Sequence, residues 1–167
     1  MNSHEHLRKR RVRAGFALLI TSDSRDEASD LSGRVARDLL VREDHEVVDY
    51  KIVKNNPQAI LDSVKEFLEN EEVEVVITSG GTGISSRDVT VDTLTPLFDR
   101  RLEGFGELFR SLSYGDVGEA AMISRATAGI VGKKVVFCIP GSEKAMELAL
   151  TRLILPGIGH TLWEVKR

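Results

Sequence analysis

The chain has 167 residues, 41% of them hydrophobic and 29% charged, with a net charge of −3, a size and balance that fit one globular domain and exclude wholesale disorder. No run approaches the ~20 apolar residues of a membrane span, residues 1–13 lack the apolar segment of a secretory signal, and the single cysteine, Cys138, excludes an internal disulfide framework and a four-cysteine zinc site. A cytoplasmic enzyme or binding module is expected.

The first thirteen residues carry Arg8, Lys9, Arg10, Arg11 and Arg13 against one acid, Glu5, so a basic arm precedes an acidic body. Such an arm can touch nucleic acid or a membrane, but a solvated tail is the plainer reading. The chain has neither the high pI nor the aromatic-interleaved basic stripe of a nucleic-acid binder. The expected division is an arm over residues 1–13 and one domain over residues 14–167, with neither nucleic acid nor membrane as partner.

Gly15 to Ser22 is an apolar run ending in small polar residues, the pattern of a buried strand. Asp30 to Val41 places Val35, Ala36, Leu39 and Leu40 at helical spacing, and His45 to Val53 reads as a second strand. Asn56-Pro57 supplies an N-cap and a first-turn proline for a helix bearing Ile60, Leu61, Val64, Phe67 and Leu68 on one face. Val73 to Thr78 is a third strand. Strand and helix thus alternate, with near-continuous aliphatic strands, as in parallel sheets covered on both faces. Further on, Val91 to Phe98, Glu103 to Leu112 and Gly118 to Ser124 read as helices. Ala128 to Val131 and Lys134 to Ile139 read as a hairpin through Gly132, and Ser142 caps a helix reaching Ile154. The fold class expected is α/β: a single three-layer αβα domain with a mostly parallel central sheet.

Thr78-Ser79-Gly80-Gly81-Thr82-Gly83 follows the third strand directly. Ligands of open α/β sheets bind beyond the carboxyl ends of strands. Glycines there let backbone N–H groups approach an oxyanion, with hydroxyls beside them; a tight turn would need fewer glycines. The stretch matches neither a P-loop, since Ile84 follows Gly83, nor a dinucleotide fingerprint, since Ser86 stands at its third glycine. Asp88, five residues on, suits a Mg²⁺ ion beside bound phosphates, or else caps the next helix or pairs with Arg87. Ser22-Asp23-Ser24-Arg25 ends the first strand and Pro140-Gly141-Ser142 another, so all three belong to one polar rim. Ser142 lacks the G-x-S-x-G context of a nucleophile. Glu107 is a ligand or an exposed helix residue. His4, His6, His45 and His160 have no metal-ligand spacing, and Cys138 reads as a buried hydrophobe.

The ordered set Ser22 to Arg25, Thr78 to Gly83, Arg87-Asp88-Val89-Thr90, Gly104-Phe105-Gly106-Glu107, Ser124-Arg125-Ala126 and Pro140 to Ser142 resembles the MoaB/Mog family of molybdenum-cofactor biosynthesis proteins, closer to its MoaB branch. The resemblance covers about Gly15 to Ile154. It implies an αβα fold that binds molybdopterin, assembles as a homotrimer or homohexamer, and adenylylates molybdopterin with ATP and Mg²⁺, preparing it for molybdenum or tungsten. It also implies the molybdenum-insertion protein of the pathway as a partner. By this resemblance Ser79, Gly80, Gly81, Thr82 and Gly83 hold the phosphate region, Ser22 is a further binding residue, and Asp88 and Asp23 are catalytic, Asp88 holding the metal. Glu107, Ser111 and Ser142 line the pterin pocket, with Pro140 and Gly141 as further binding residues. One position departs: many active relatives have an acidic residue soon after the second strand, where this chain reads Lys54-Asn55-Asn56. The alternative function is therefore molybdopterin binding or scaffolding without turnover.

Overall fold

The structure is a computed structural model that describes residues 12–167; most of the basic arm lies outside the described residues. Aliphatic strands set the architecture. β1 (Gly15–Thr21) and β3 (Val75–Ser79) are buried along their whole length, which requires cover on both faces of the sheet. The other strands are β2 (Glu46–Val53), β4 (Arg100–Arg101), β5 (Thr127–Val131) and β6 (Lys134–Ile139). They form one six-stranded sheet in the order β2-β1-β3-β6-β5-β4. β2, β1, β3 and β6 run parallel, while β5 pairs antiparallel with β6 and with β4.

Alternation along the strands divides the core in two. On one face Phe16, Leu18, Val75 and Ile77 pack with Ala36 and Leu40 of α1 (Leu31–Arg42), Phe105 and Phe109 of α4 (Glu103–Val117), Met146 of α5 (Glu143–Ala149), and Ile158 and Leu162 of α6 (Leu155–Lys166). On the other, Ala17, Leu19, Val76, Val136 and Cys138 pack with Ile60, Val64 and Phe67 of α2 (Pro57–Glu69) and with Val91 and Leu94 of α3 (Thr90–Leu94). This is the expected αβα sandwich. Burial pushes the Cys138 thiol up to about 11, away from thiolate chemistry. No described helix is long and apolar enough to cross a membrane.

Helix ends follow their capping residues. Asp30 accepts from Gly33 N–H, Asn56 from Ala59 N–H and Ser142 from Ala145 N–H. Four elements differ from the sequence expectation. The helix expected over Val91 to Phe98 stops at Leu94 and continues as a 3₁₀ turn, Thr95–Leu97, carrying Pro96 in its first positions. α4 runs past Leu112 to Val117 and ends at Gly118, whose φ is +59°. The Ser142-capped helix widens into a π segment, Leu150–Ile154, and continues as α6. Pro156 stands at the start of α6, and its missing N–H makes the regular ladder impossible there. The edge strand β4 has no apolar pattern to announce it; two exposed arginines suit an edge that must not pair further.

Candidate functional site

The sheet order reverses direction between β1 and β3, since β2 lies beyond β1 on one side and β3 and β6 on the other. In such sheets the crevice at that switch point, beyond the carboxyl ends, takes the ligand. Register brings three motif-bearing ends together there. Ile20 pairs with Ser79 and Ser79 with Ile139; Thr21 Oγ1 donates to Ser79 O at 3.3 Å and Gly80 N to Ile139 O at 2.9 Å. Arg25 Nη1 reaches across to Gly141 O at 2.6 Å. The rim expected from three separate turns is one place.

Within the glycine loop the roles divide. Ser79 is fully buried, and its hydroxyl donates to Pro140 O or lies against Ser32 Oγ, at 3.3 and 3.4 Å. It ties β3 to the end of β6. Gly80 has φ +110°, and a Cβ there would lie 2.6 Å from Thr21 Oγ1. Gly81 has φ +66°, and a Cβ would overlap Thr90 Oγ1 and sit 3.2 Å from Asn55 Oδ1. Both positions require glycine for conformation and for space. Thr82 is buried, and Gly83 lies beside the Asp88 carboxylate.

Asp88 neither caps α3, whose N-cap Val89 makes no side-chain bond, nor pairs with Arg87. Its Oδ2 accepts from Ser85 N at 2.9 Å. Burial would raise this carboxyl, but bonds from the Ser85 side chain, the Ser85 and Gly83 backbones and the Arg125 charge outweigh it and hold it below the ordinary carboxylate value. Arg87 pairs instead with Asp23, Nε lying 3.1 Å from Oδ2. Asn55 adds two bonds to Asp23, from its backbone N at 3.1 Å and from Nδ2 at 3.3 Å. The Arg87 bond first, then Asn55, holds Asp23 below its ordinary value. Both aspartates are ionised at neutral pH. The remaining Asn55 oxygen, Oδ1, is buried with no hydrogen-bond partner. It lies beside Gly81 with no donor to satisfy it, a place for a cation or a ligand proton.

Beside the loop lies a cavity of about 300 Å³. Thr82, Gly83, Pro140 and Ser142 form its rim side, and Phe109 and Val117 of α4 with Ala121 and Leu148 give it an apolar wall; Ser113 of α4 adds a hydroxyl, and Asp116 and Lys144 bring charge to it. An apolar pocket with a few polar groups, here beside a glycine-rich turn, is the usual form of a small-molecule site.

Residues 17–160 match the family model described as "Probable molybdopterin binding domain". The chain belongs to the MoaB/Mog family. Molybdenum cofactor biosynthesis protein B of Bacillus cereus is 43% identical over 168 residues, covering 100% of this chain and 99% of the relative. The protein of the same name from Staphylococcus aureus is 47% identical over 171 residues, with 100% of both chains covered. A crystal structure of a molybdenum cofactor biosynthesis protein B superposes with a TM-score of 0.91 at 42% identity, over 95% of this chain and 99% of that one. The tungsten cofactor synthesizing protein MoaB from Pyrococcus furiosus superposes with a TM-score of 0.84 at 37% identity, over 93% and 98%.

The site that the MoaB/Mog resemblance implies comes together unevenly. Ser22, Asp23, Ser79 to Gly83, Asp88 and Pro140 to Ser142 share the rim. Glu107 and Ser111 are exposed on α4 and are not among the residues lining the cavity, whereas Phe109 and Ser113 of the same helix are. Sequence reasoning gave Arg125, Ser113 and Lys144 no role. Lys144 sits two residues after Ser142, so its nearness to the rim was readable; Ser113 needed the helix to be extended past Leu112.

Proposed function

We propose that this chain acts in molybdenum or tungsten cofactor biosynthesis by adenylylating molybdopterin. The terminal phosphate oxygen of molybdopterin attacks the α-phosphorus of ATP and forms a new P–O bond. The bond from that phosphorus to the bridging oxygen of the β-phosphate breaks, and pyrophosphate leaves with the electron pair. The observation that carries this reading is the convergence of three strand ends on one glycine loop, with ionised Asp23 and Asp88 and the unpartnered Asn55 Oδ1 around it.

Adenylyl transfer asks little covalent chemistry of a protein; positioning and charge neutralisation carry it. The loop N–H groups of Gly81, Thr82 and Ile84 hold phosphate oxygens, the apolar cavity takes the pterin, and Ser142 at the start of α5 borders both. The donor set at the rim is all oxygen, which fits Mg²⁺, an ion usually held by one or two carboxylates plus substrate phosphates. Among the described residues no group of three or more His, Cys, Asp or Glu is placed to hold a metal ion. Asp88 would hold the ion, with Asp23 and Asn55 Oδ1 beside it. When bound, Mg²⁺ neutralises the facing phosphate oxygens. The active form is a homotrimer or homohexamer, and a monomer in sedimentation at micromolar concentration would contradict that assembly.

One observation favours a second reading. Asn55 supplies a neutral amide against Asp23, so the rim carries one charge fewer than an acidic residue there would give. With a weaker cation site the chain would bind molybdopterin without turning it over. Incubation with ATP, Mg²⁺ and molybdopterin decides between them: pyrophosphate release supports the enzyme, and tight molybdopterin binding without pyrophosphate supports the binding protein.

A further inference from the structure

We infer that Arg125 is the positioning residue of the glycine loop: it shapes the phosphate cradle without contacting substrate. Its side chain and backbone close on that loop from residues far away in sequence. Arg125 Nε donates to Gly83 O at 2.7 Å and Nη2 to Asp88 O at 2.8 Å, so one guanidinium holds both ends of the segment 83–88. Its backbone N donates to Thr82 O at 2.8 Å. Nη1 and Nη2 grip the Asp92 carboxylate of α3 at 2.8 and 2.9 Å. Arg110 of α4 anchors the backbone on either side, its Nη1 donating to Ser124 O at 3.3 Å and Ala126 O at 2.8 Å.

Peptide planarity gives this clamp its consequence. In a trans peptide the N–H points opposite to the preceding C=O. Gly81 O accepts from Thr90 N at 3.1 Å, Thr82 O from Arg125 N, and Gly83 O from Arg125 Nε. The N–H groups of Thr82, Gly83 and Ile84 are therefore turned away from these partners by three bonds, two of them from Arg125; the Gly83 N–H goes to the Asp88 carboxylate, and those of Thr82 and Ile84 are left to the cradle. The planar fork matters: its nitrogens reach two carbonyls and a carboxylate at once, which one lysine ammonium does not do. Arg125 also draws Asp88 into place through its backbone, leaving the Asp88 carboxylate to Ser85 and Gly83.

The effect on rate rests on the adenylylation reading; the clamp itself does not. In Arg125→Ala, hydrogen exchange of the bonded loop amides of Gly83, Ser85 and Asp88 should quicken at least about tenfold, as local opening becomes easier. Pyrophosphate release should fall about 10²-fold in kcat, the scale of a misplaced reacting group. Added guanidinium at millimolar concentration should restore part of both, because it refills the fork, which it would not do for a general loss of folding. Arg125→Lys, the milder change, should show the same loosening should the alanine variant not fold. Parent-like exchange at Gly83, Ser85 and Asp88 in either variant overturns the inference, as does a loss of turnover in the alanine variant that guanidinium leaves untouched. A parent protein that releases no pyrophosphate removes the adenylylation reading, while the exchange measurement still judges the clamp.

Discussion

Gly81→Ala tests the cradle through its most constrained position. The substitution keeps φ at +66° and brings a Cβ against Thr90 Oγ1, with Asn55 Oδ1 at 3.2 Å. Holding an L residue in the left-handed region costs roughly 1–2 kcal/mol, and forcing an atom into packed space adds about 1–3 kcal/mol. A loss of about 2–5 kcal/mol follows, which lowers the melting temperature by roughly 5–15 °C for a domain of this size yet leaves a folded protein. Gly132→Ala is the control: its φ is +58°, but a Cβ there meets nothing within 4 Å, so only the conformational cost of about 1–2 kcal/mol applies. Thermal melts of both variants, with molybdopterin titrated into each, separate the terms. Gly81→Ala should melt lower than Gly132→Ala and bind molybdopterin more weakly, while Gly132→Ala keeps the parent affinity. Equal melting temperatures would refute the crowding by Thr90, and parent-like affinity in a folded Gly81→Ala would refute the cradle.

Asp88→Asn keeps the size but loses the charge and one acceptor for Ser85 and Gly83; adenylylation should fall about 10²-fold with a stability loss of about 1 kcal/mol, and near-parent pyrophosphate release would sink its catalytic role. Asn55→Asp places a second carboxylate against Asp23, so the variant should melt lower than the parent without Mg²⁺ and recover when Mg²⁺ is added; a melting curve indifferent to Mg²⁺ would count against the cation site. His45 Nδ1 accepts from Ala14 N at 3.2 Å, and burial holds its pKa below the ordinary 6.5. Its contribution is present above 6.5 and is lost as pH falls through the lowered folded value, because the unfolded chain then binds the proton more readily. His45→Gln should flatten that part of the stability profile between pH 7 and 5.

The alternation of aliphatic strands with capped helices announced the sandwich, because β1 and β3 bury both faces and say so in every residue. The rim was legible for the same reason: parallel strands carry their carboxyl ends to one edge, so Asp23, the glycine loop and Ser142 had to meet. What stayed hidden depends on contacts remote in sequence. Arg125 acts on residues 82, 83, 88 and 92, and no local pattern marks a guanidinium with such distant partners. The sequence marks Asn55 by the charge it lacks, whereas its bonds to Asp23 and its unpartnered Oδ1 depend on the folded geometry. Asp88 had two ordinary readings, and the structure replaces both with the Ser85 and Gly83 bonds that close the loop. Ser111 rests on family resemblance alone, and Glu107 has an exposed-helix reading beside the ligand one; both are exposed on α4 and neither lines the cavity.

The most direct test of adenylyl transfer follows the phosphorus atoms. The protein is incubated with molybdopterin, Mg²⁺ and ATP labelled separately at its α- and γ-phosphates, and the products are resolved chromatographically. Label from the α-phosphate should appear in a molybdopterin adduct, and label from the γ-phosphate in pyrophosphate, in equal amounts. An unlabelled molybdopterin fraction beside intact ATP, or γ-label carried onto the pterin, would contradict it.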